Sequence, residues 1–343
     1  MDILIAGYYG YCNWGDDGSL ATLLQVLPRA AVCVLSGDPA FTEATYGVRA
    51  LPRVELRTVR RAVRESDALI LGGGSLLQDA TSLRSLLYYL ALIRWGLRAH
   101  GRVLLVGQGV GPLRRRIGRR LAAHLLQRVP FLSVRDAESA RLLEGLGVSG
   151  ATVDADLTWA LEAQPAHVAL EAGARWVGLA PRLWADAPVP QAFADLCRRL
   201  HAEGYQALLI PMQESQDRAL CEAIAAATGA WALPPPQHPA QLLGVMAHLQ
   251  AMVAMRLHGA IFAASAGAPV LCVSYDPKVD ALAAQLGAPT VPLRALDGGL
   301  AEAWGAFPRE ALRARLQQTV PALPQTVHNL LMRVRQFLKT SEC

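Results

Sequence analysis

Short apolar segments that end in a turn and lead into a helical segment recur along the whole chain, and this alternation constrains the fold most. Residues 68–71 run into three glycines, and residues 103–106 run into Gly107. Segments that are apolar throughout are typical of parallel strands covered by helices on both faces. The sequence therefore predicts an α/β protein made of doubly wound, Rossmann-like layers.

The alternation occurs twice, on either side of a loose stretch from Gln164 to Gly173. Strands are predicted at residues 2–6, 32–35, 68–71, 103–106, 131–134, 176–180, 206–210, 251–254 and 269–274. A long helix is predicted over 81–99, with Thr81 or Ser82 as its N-cap, and a solvent-facing amphipathic helix over 319–339. We therefore predict an N-terminal Rossmann-like domain (1–160), a C-terminal one (173–318) and a C-terminal helix (319–343), with the domain boundary within 154–172. Because such sheets bind ligands at the carboxyl ends of their strands, we expect the two domains to face a shared cleft.

Composition excludes several classes of protein. The chain is 52% apolar, and its six cysteines show no paired spacing. No apolar run reaches the roughly 18 residues that a membrane span needs. We therefore expect neither a disulfide framework nor a structural zinc site, no metal ligand cluster and no secretory signal. These features indicate a cytoplasmic protein.

The positive charge lies in the N-terminal half. Residues 1–160 hold 19 basic and 14 acidic side chains, whereas the remainder holds 14 of each. This excess favours an anionic partner there, but no pattern typical of nucleic-acid binding accompanies it, so nucleic acid is not expected. The arginine run within 114–120 is interpreted as a solvated helix face, with contact to a lipid diphosphate or to the inner membrane surface as the alternative.

Two glycine-containing turns in the N-terminal half are candidate binding sites. The first follows strand one and contains Asn13, Asp16 and Asp17. Its glycines and the N–H groups of the helix after it can approach an anion, or Asp16 and Asp17 can accept hydrogen bonds from sugar hydroxyls. A capped turn without a ligand explains it equally well. The second turn, at 72–79, has three glycines where the backbone must approach something closely. Its candidate ligand contacts are Gly73, Gly74, Ser75, Gln78 and Asp79, and the alternative is a tight packing turn.

Arginines at predicted strand ends are candidates for anion binding. Arg135 follows the strand at 131–134, where it can clamp a phosphate or carboxylate or instead pair with Asp136. Arg256 and His258 follow the strand at 251–254, with Gly259 and a helix of small residues after them. A fixed charge, a group that titrates near neutral pH and free N–H donors suit the transformation of a phosphorylated anion. Lys278, one of only two lysines, follows the next strand.

Together these motifs resemble the polysaccharide pyruvyl transferases, and among them the bacterial CsaB type. The resemblance rests on the Asn13 turn, GGGSLLQD at 72–79, SVRD at 133–136, MRLHG at 255–259 and SYDPK at 274–278, and it spans about residues 2–290. It implies a fold like that of the two-domain GT-B glycosyltransferases. It also implies transfer of pyruvate from phosphoenolpyruvate to N-acetylmannosamine of a lipid-linked cell-wall precursor, as a 4,6-ketal. Phosphoenolpyruvate is then a co-substrate, and no cofactor is required.

The resemblance also implies roles for single residues. Arg256, Arg135, Lys278 and Gly259 are expected to bind the donor, and His258 to act as general acid or base. Asp79 is expected to orient or deprotonate the acceptor hydroxyl. Residues expected to bind the acceptor are Asn13, Asp16, Asp17, Gly73, Gly74, Ser75 and Gln78. Asp17 stands where relatives often have glutamate, which leaves its reach one methylene shorter.

Two other functions stay open at this point. A nucleotide-sugar glycosyltransferase of the same architecture needs an acidic nucleoside clamp, for which Glu214 and Asp217 are candidates. A non-catalytic anion- or sugar-binding protein keeps the same strand-end residues but never releases phosphate.

Overall fold

A parallel sheet of seven strands in the order β3-β2-β1-β4-β5-β6-β7 forms the core of the N-terminal part. Its strands are β1 (Ile3–Tyr9), β2 (Val32–Ser36), β3 (Arg49–Pro52), β4 (Ala68–Gly72), β5 (Val103–Gln108), β6 (Phe131–Val134) and β7 (Thr152–Val153). The helices between them are α1 (Trp14–Leu23), α2 (Pro39–Tyr46), α3 (Leu56–Glu65), α4 (Leu83–Ala99), α5 (Arg116–Leu126) and α6 (Ala137–Glu144). The central strands β1, β4 and β5 are buried along almost their whole length, as parallel strands covered on both faces require.

A second parallel sheet, of six strands in the order β10-β9-β8-β11-β12-β13, forms the core of the C-terminal part. Its strands are β8 (Trp176–Ala180), β9 (Gln206–Leu209), β10 (Trp231–Ala232), β11 (Leu249–Ala254), β12 (Val270–Ser274) and β13 (Thr290–Pro292). The helices are α7 (Val189–Ala202), α8 (Glu214–Thr228), α9 (Ala240–Met246), α10 (Leu257–Ser265), α11 (Pro277–Leu286), α12 (Gly299–Ala306) and α13 (Arg309–Thr319). The predicted fold class, two α/β layers on parallel sheets, is confirmed.

The computed structural model describes residues 1–80 and 82–340, and its internal contacts divide the chain into two units. The first comprises Met1–Leu161 with the segment from Leu323, and the second comprises Glu162–Ala322. Thr81, one of the two predicted caps of α4, lies outside the described residues. So do residues 341–343 of the predicted C-terminal helix.

The C-terminal helix α14 (Ala322–Lys339) belongs to the first unit from its second residue onward. Its buried face includes Val327, Leu330 and Val334. Arg333 pairs with Asp154 at 2.5 Å, and the Phe337 ring lies 5.6 Å from that of Phe131. The tail is therefore a packed part of this unit, and the prediction of a solvent-facing helix holds only for its outer face.

Helix α1 begins at Trp14, five residues before the predicted start at Ser19. The segment interpreted as a turn is thus largely the first turns of this helix. Glycine lowers helix propensity, but nearly every residue from Trp14 to Leu23 is buried, and tertiary packing outweighs that preference. Asp16 and Asp17 lie in its first turn, where acidic groups interact favourably with the helix dipole.

In each sheet the strand order reverses beside the unit's first strand. The reversal lies between β1 and β4 in the first unit and between β8 and β11 in the second. The chain leaves these two neighbouring strands toward opposite sides, which opens a crevice outside their carboxyl ends. The loops after β1, β4, β8 and β11 are therefore where each unit is expected to bind a ligand.

Candidate functional site

The loops after β1 and β4 meet at the first unit's crevice. Asn13 Nδ2 donates a hydrogen bond to Asp16 Oδ2 at 2.6 Å. Gly74 has a φ of +69°, and a Cβ added to it would lie 2.3 Å from Asp16 Oδ1. Gly73, with a φ of +64°, is packed in the same way against Ser19. The structure thus brings Asn13, Asp16 and the glycine turn together, and these glycines are needed because α1 lies against their backbone.

Replacing Gly74 with alanine is expected to lower the free energy of unfolding by more than the left-handed backbone conformation alone would cost. A left-handed φ costs an alanine about 1–2 kcal/mol. Asp16 is buried and hydrogen-bonded to Asn13, so it cannot easily move away, and the clash adds about 1–3 kcal/mol of overpacking. Gly101 is the matched control, because its φ is +75° and no atom lies within 4 Å of its added Cβ. Equal losses of unfolding free energy for Gly74→Ala and Gly101→Ala in urea would contradict the close approach.

Asp17 is buried behind the loops after β1 and β4 and does not lie at the crevice. The residue is 0% exposed, and its Oδ1 accepts the backbone N–H of Gly10 at 3.1 Å. Burial raises the pKa of this carboxyl to about 8; the Gly10 hydrogen bond opposes this increase in part, and the nearby Asp16 carboxylate adds a smaller increase. The structure therefore gives no support to the prediction that Asp17 contacts the acceptor, and it assigns the residue to holding the β1–α1 connection.

The buried Asp17 carboxyl is expected to make stability fall as pH rises. Between its ordinary pKa of 3.8 and about 8, the folded protein keeps a proton that the unfolded chain has released. The free energy of unfolding then decreases by up to about 1.4 kcal/mol per pH unit through this window. Urea unfolding from pH 5 to pH 8 should show a decrease for the wild type that Asp17→Asn lacks. The same pH dependence in both proteins would contradict this assignment.

Arg135 is held by three loops of the first unit. Its Nη1 donates to Asp156 at 3.0 Å, its Nη2 donates to Ser75 Oγ at 2.9 Å, and its Nε lies 3.4 Å from Asp136. The side chain is only 6% exposed. The Asp136 pairing considered from the sequence is present, but Asp156 is the closer partner. Two carboxylates therefore neutralise Arg135 before any ligand arrives.

Asp79 anchors the chain segment that leads into α5. Its Oδ1 accepts the N–H of Arg114 at 2.7 Å, and its Oδ2 accepts the N–H of Arg115 at 2.8 Å. The residue is 6% exposed, while neighbouring Gln78 is half-buried. Both carboxylate oxygens are thus used by the backbone, which indicates a positioning role for Asp79 and does not favour the predicted proton transfer.

In the second unit, Arg256 follows β11 at the crevice and is fixed by residues that follow β9. Its Nε and Nη2 grip both oxygens of Asp217 at 3.0 and 2.5 Å, and Nη2 also donates to Gln216. A longer hydrogen bond, at 3.4 Å, joins Nη1 to Gln213. Arg256 is 9% exposed and Asp217 is 0% exposed. A guanidinium has five N–H donors, and most of those of Arg256 bind other residues of the protein. Few are left for the donor substrate that Arg256 was expected to bind.

Neither acidic candidate for a nucleoside clamp is available at this crevice. Asp217 is buried against Arg256, and its Oδ2 also accepts the N–H of Gln213 at 2.9 Å. Glu214 pairs with Arg218, with the closest oxygen 2.8 Å from Nη2. The feature that would favour a nucleotide-sugar transferase is therefore occupied by internal ion pairs.

His258 and Gly259 lie in the first turn of α10, which starts directly after Arg256. His258 is half-buried. A Cβ added to Gly259 would lie 3.3 Å from Ala180 Cβ and 3.4 Å from Met212 Cγ. Gly259 thus lets α10 lie close to the sheet, and this packing places the histidine at the crevice edge.

Lys278 lies in the first turn of α11, after β12. Its Nζ is 3.5 Å from Asp276 Oδ2, and a third of the side chain is exposed. Asp276 also caps the helix by accepting the N–H of Lys278 at 3.1 Å. The structure therefore brings Lys278 to the same sheet edge as Arg256 and His258, two strands from β8.

Sequence reasoning missed two residues at this edge, Arg182 and Tyr275. Arg182 follows β8 and donates from Nη1 to the Tyr275 hydroxyl at 2.9 Å. The signal was present, because an arginine directly after a buried strand was the argument used for Arg135. Tyr275 lies inside the SYDPK motif but carries no charge to draw notice.

Across residues 1–80 and 82–340, no group of three or more His, Cys, Asp or Glu side chains is arranged to hold a metal ion. In the same part of the chain, no helix combines the length and apolar character needed to cross a bilayer.

Comparison with known proteins identifies one sequence family and many similar folds. The family model described as polysaccharide pyruvyl transferase matches residues 15–277. No curated protein matches the chain in sequence. Similar solved structures include UDP-GlcNAc 2-epimerase from Neisseria meningitidis bound to UDP-GlcNAc, with a TM-score of 0.60 and 10% identity over 99% of this chain and 100% of that chain.

Two further structures extend this likeness. MnaA from S. aureus with UDP has a TM-score of 0.68 and 10% identity, covering 99% of this chain and 97% of that chain. CalG4, the calicheamicin glycosyltransferase, has a TM-score of 0.56 and 13% identity, covering 98% of each chain. At such identities the likeness shows the fold alone, and it confirms two α/β domains of the GT-B type.

Proposed function

The chain belongs to the polysaccharide pyruvyl transferase family, and we propose that it moves pyruvate from phosphoenolpyruvate onto a sugar as a 4,6-ketal, releasing phosphate. Following the CsaB-type motifs, the proposed acceptor is N-acetylmannosamine of a lipid-linked cell-wall precursor. The reaction would then take place at the cytoplasmic face of the membrane, where the protein would bind peripherally.

One observation supports this proposal most. Arg256 and His258 stand two residues apart at the carboxyl end of β11, beside the point where the second sheet reverses its strand order. Asp217 fixes the guanidinium, and the tight packing of Gly259 fixes the helix that carries the histidine. A rigid guanidinium beside an imidazole, which can donate or accept a proton, suits a phosphorylated carboxylic acid.

The chemistry needs a proton donor, a proton acceptor and stabilisation of a leaving phosphate. Protonation of C3 of phosphoenolpyruvate makes C2 electrophilic, and one sugar hydroxyl adds there. Phosphate then leaves and the second hydroxyl adds to C2, which closes the ketal. The two hydroxyls together release two protons. One makes up for the proton that C3 takes up when it becomes a methyl group, and the other leaves with phosphate or solvent. We propose His258 as the group that transfers these protons.

We propose different roles for some of the other residues, on the basis of their contacts. Arg256, whose charge is paired with Asp217, supplies a fixed guanidinium with one remaining N–H donor, and Lys278 supplies a partly exposed ammonium group. In the first unit, Asn13, Asp16, Ser75 and Gln78 remain the proposed acceptor contacts. Arg135 and Asp79 are proposed to hold the loops that carry those contacts.

The test is phosphate release from phosphoenolpyruvate in the presence of acceptor sugars. We expect release only when an acceptor with free 4- and 6-hydroxyls is present, and none when its 6-hydroxyl is methylated. Binding of UDP-sugars with no response to phosphoenolpyruvate would favour the glycosyltransferase alternative. Binding of phosphoenolpyruvate without release under any acceptor would favour the non-catalytic alternative.

A further inference from the structure

We propose that Arg182 is the second unit's ligand for the anionic groups of the donor, a role that rests on the proposed function. The residue follows β8 (Trp176–Ala180), on the other side of the crevice from β11. Neither the sequence motifs nor the family match assigned it a role.

The backbone places Arg182 directly beside the Arg256–His258 segment. Strands β8 and β11 pair in parallel, with Ala180 opposite Ala254. The N–H of Met255 donates to the carbonyl of Ala180 at 3.0 Å, and the N–H of Arg182 lies 3.3 Å from Met255 Sδ. Arg182 therefore leaves the sheet at the same level as Arg256.

The side chain reaches across the end of β11. Its hydrogen-bond partner, Tyr275, follows β12, and β11 lies between β8 and β12 in the sheet. The guanidinium carbon is 5.1 Å from the centre of the Trp184 ring and 5.3 Å from that of Tyr275. These two rings are themselves 4.6 Å apart. Aromatic contacts of this kind hold an arginine in place without neutralising its charge.

The charge of Arg182 is what separates it from the other two arginines at the crevices. Arg256 is neutralised by Asp217, and Arg135 by Asp156 and Asp136. Within residues 1–80 and 82–340, Arg182 has no carboxylate partner, and its one side-chain hydrogen bond goes to a neutral hydroxyl. Its Nε and Nη2 donors are left for a ligand. A half-buried guanidinium with donors to spare suits bidentate binding of a carboxylate or phosphate.

This inference predicts a specific kinetic change in Arg182→Ala. Loss of charge-assisted hydrogen bonds should raise the KM and the Kd for phosphoenolpyruvate about 10–100-fold, with a smaller change in kcat. Tyr275→Phe keeps the ring and removes only the hydroxyl, so it should raise KM less, about 3–10-fold, with normal folding. Calorimetric titration with phosphoenolpyruvate and steady-state phosphate release measure the two quantities.

Arg175→Ala is the matched control, because Arg175 precedes β8 and lies 3.8 Å over the Tyr205 ring at the opposite end of the strand. It should leave both KM and Kd unchanged. An active wild type with unchanged KM and Kd in Arg182→Ala and Tyr275→Phe would overturn the role of Arg182 while the proposed function stands. A wild type that binds phosphoenolpyruvate but releases no phosphate would overturn the proposed function, and weaker binding by Arg182→Ala would still support this site. No binding by the wild type would overturn both.

Discussion

Replacing His258 with alanine should lower acceptor-dependent phosphate release by about 10²–10⁴-fold, the usual contribution of a general acid or base. The half-buried imidazole is in the first turn of α10, directly after Arg256, and is the proposed proton-transfer group. The fold should be unaffected, because Gly259 and the apolar residues of α10 make the contacts with the sheet.

The control for this variant is His248→Ala. His248 is exposed and immediately precedes β11, whereas His258 follows its other end. We expect normal phosphate release from the control and equal thermal unfolding temperatures for both variants and the wild type. Turnover of His258→Ala within about threefold of the wild type would remove the imidazole from the proposed mechanism.

Replacing Asp217 with alanine should lower the free energy of unfolding by about 3–5 kcal/mol. Removing this fully buried carboxylate leaves the Arg256 charge without its partner in a site that is 9% exposed. It also frees the guanidinium from its fixed orientation, so we expect the KM for phosphoenolpyruvate to rise. Urea unfolding and steady-state kinetics measure the two effects.

Asp195→Ala is the matched control, since Asp195 pairs with Arg198 while about half of each side chain is exposed. Such a surface pair contributes only about 0–1 kcal/mol. The double variant Asp217→Ala with Arg256→Ala should lose less stability than the sum of the single variants, because the two groups act on each other. Additive losses, or a loss for Asp217→Ala as small as that of the control, would contradict the buried ion pair.

The strands that could be predicted are those whose apolar composition itself indicates that they are buried. The bounds of the strands at 131–134 and 176–180 were predicted to the residue, because a charged or proline-containing turn after an apolar run marks where the strand ends. Strands β3, β7 and β13 were missed, and β3 shows the reason. It has only four residues, starts with an exposed arginine and ends with a proline. The predicted start of helix α1 was too late, because glycines lower the helix propensity of its first residues. The burial of those residues decides where the helix starts, and burial cannot be read from the local sequence.

For the candidate site, sequence alone indicated which residues stand at strand ends but not what they pair with. The partner of Arg256 is 39 residues earlier in the chain, and the partner of Arg135 is 21 residues later. Those pairings depend on strand order, which local patterns do not contain. They decide which arginine keeps N–H donors for a ligand. The position of Arg182 after a strand could be read from the sequence, but its unused donors are seen only in the folded chain.

The most direct test follows the pyruvyl carbons themselves. The protein would be incubated with phosphoenolpyruvate labelled with carbon-13 in its three carbons and with the lipid-linked N-acetylmannosamine acceptor. We predict that the label enters the sugar as an acid-labile ketal carrying a methyl group, in amounts equal to the phosphate released. Phosphate release without label in the sugar, or a labelled product that lacks the ketal, would contradict the account.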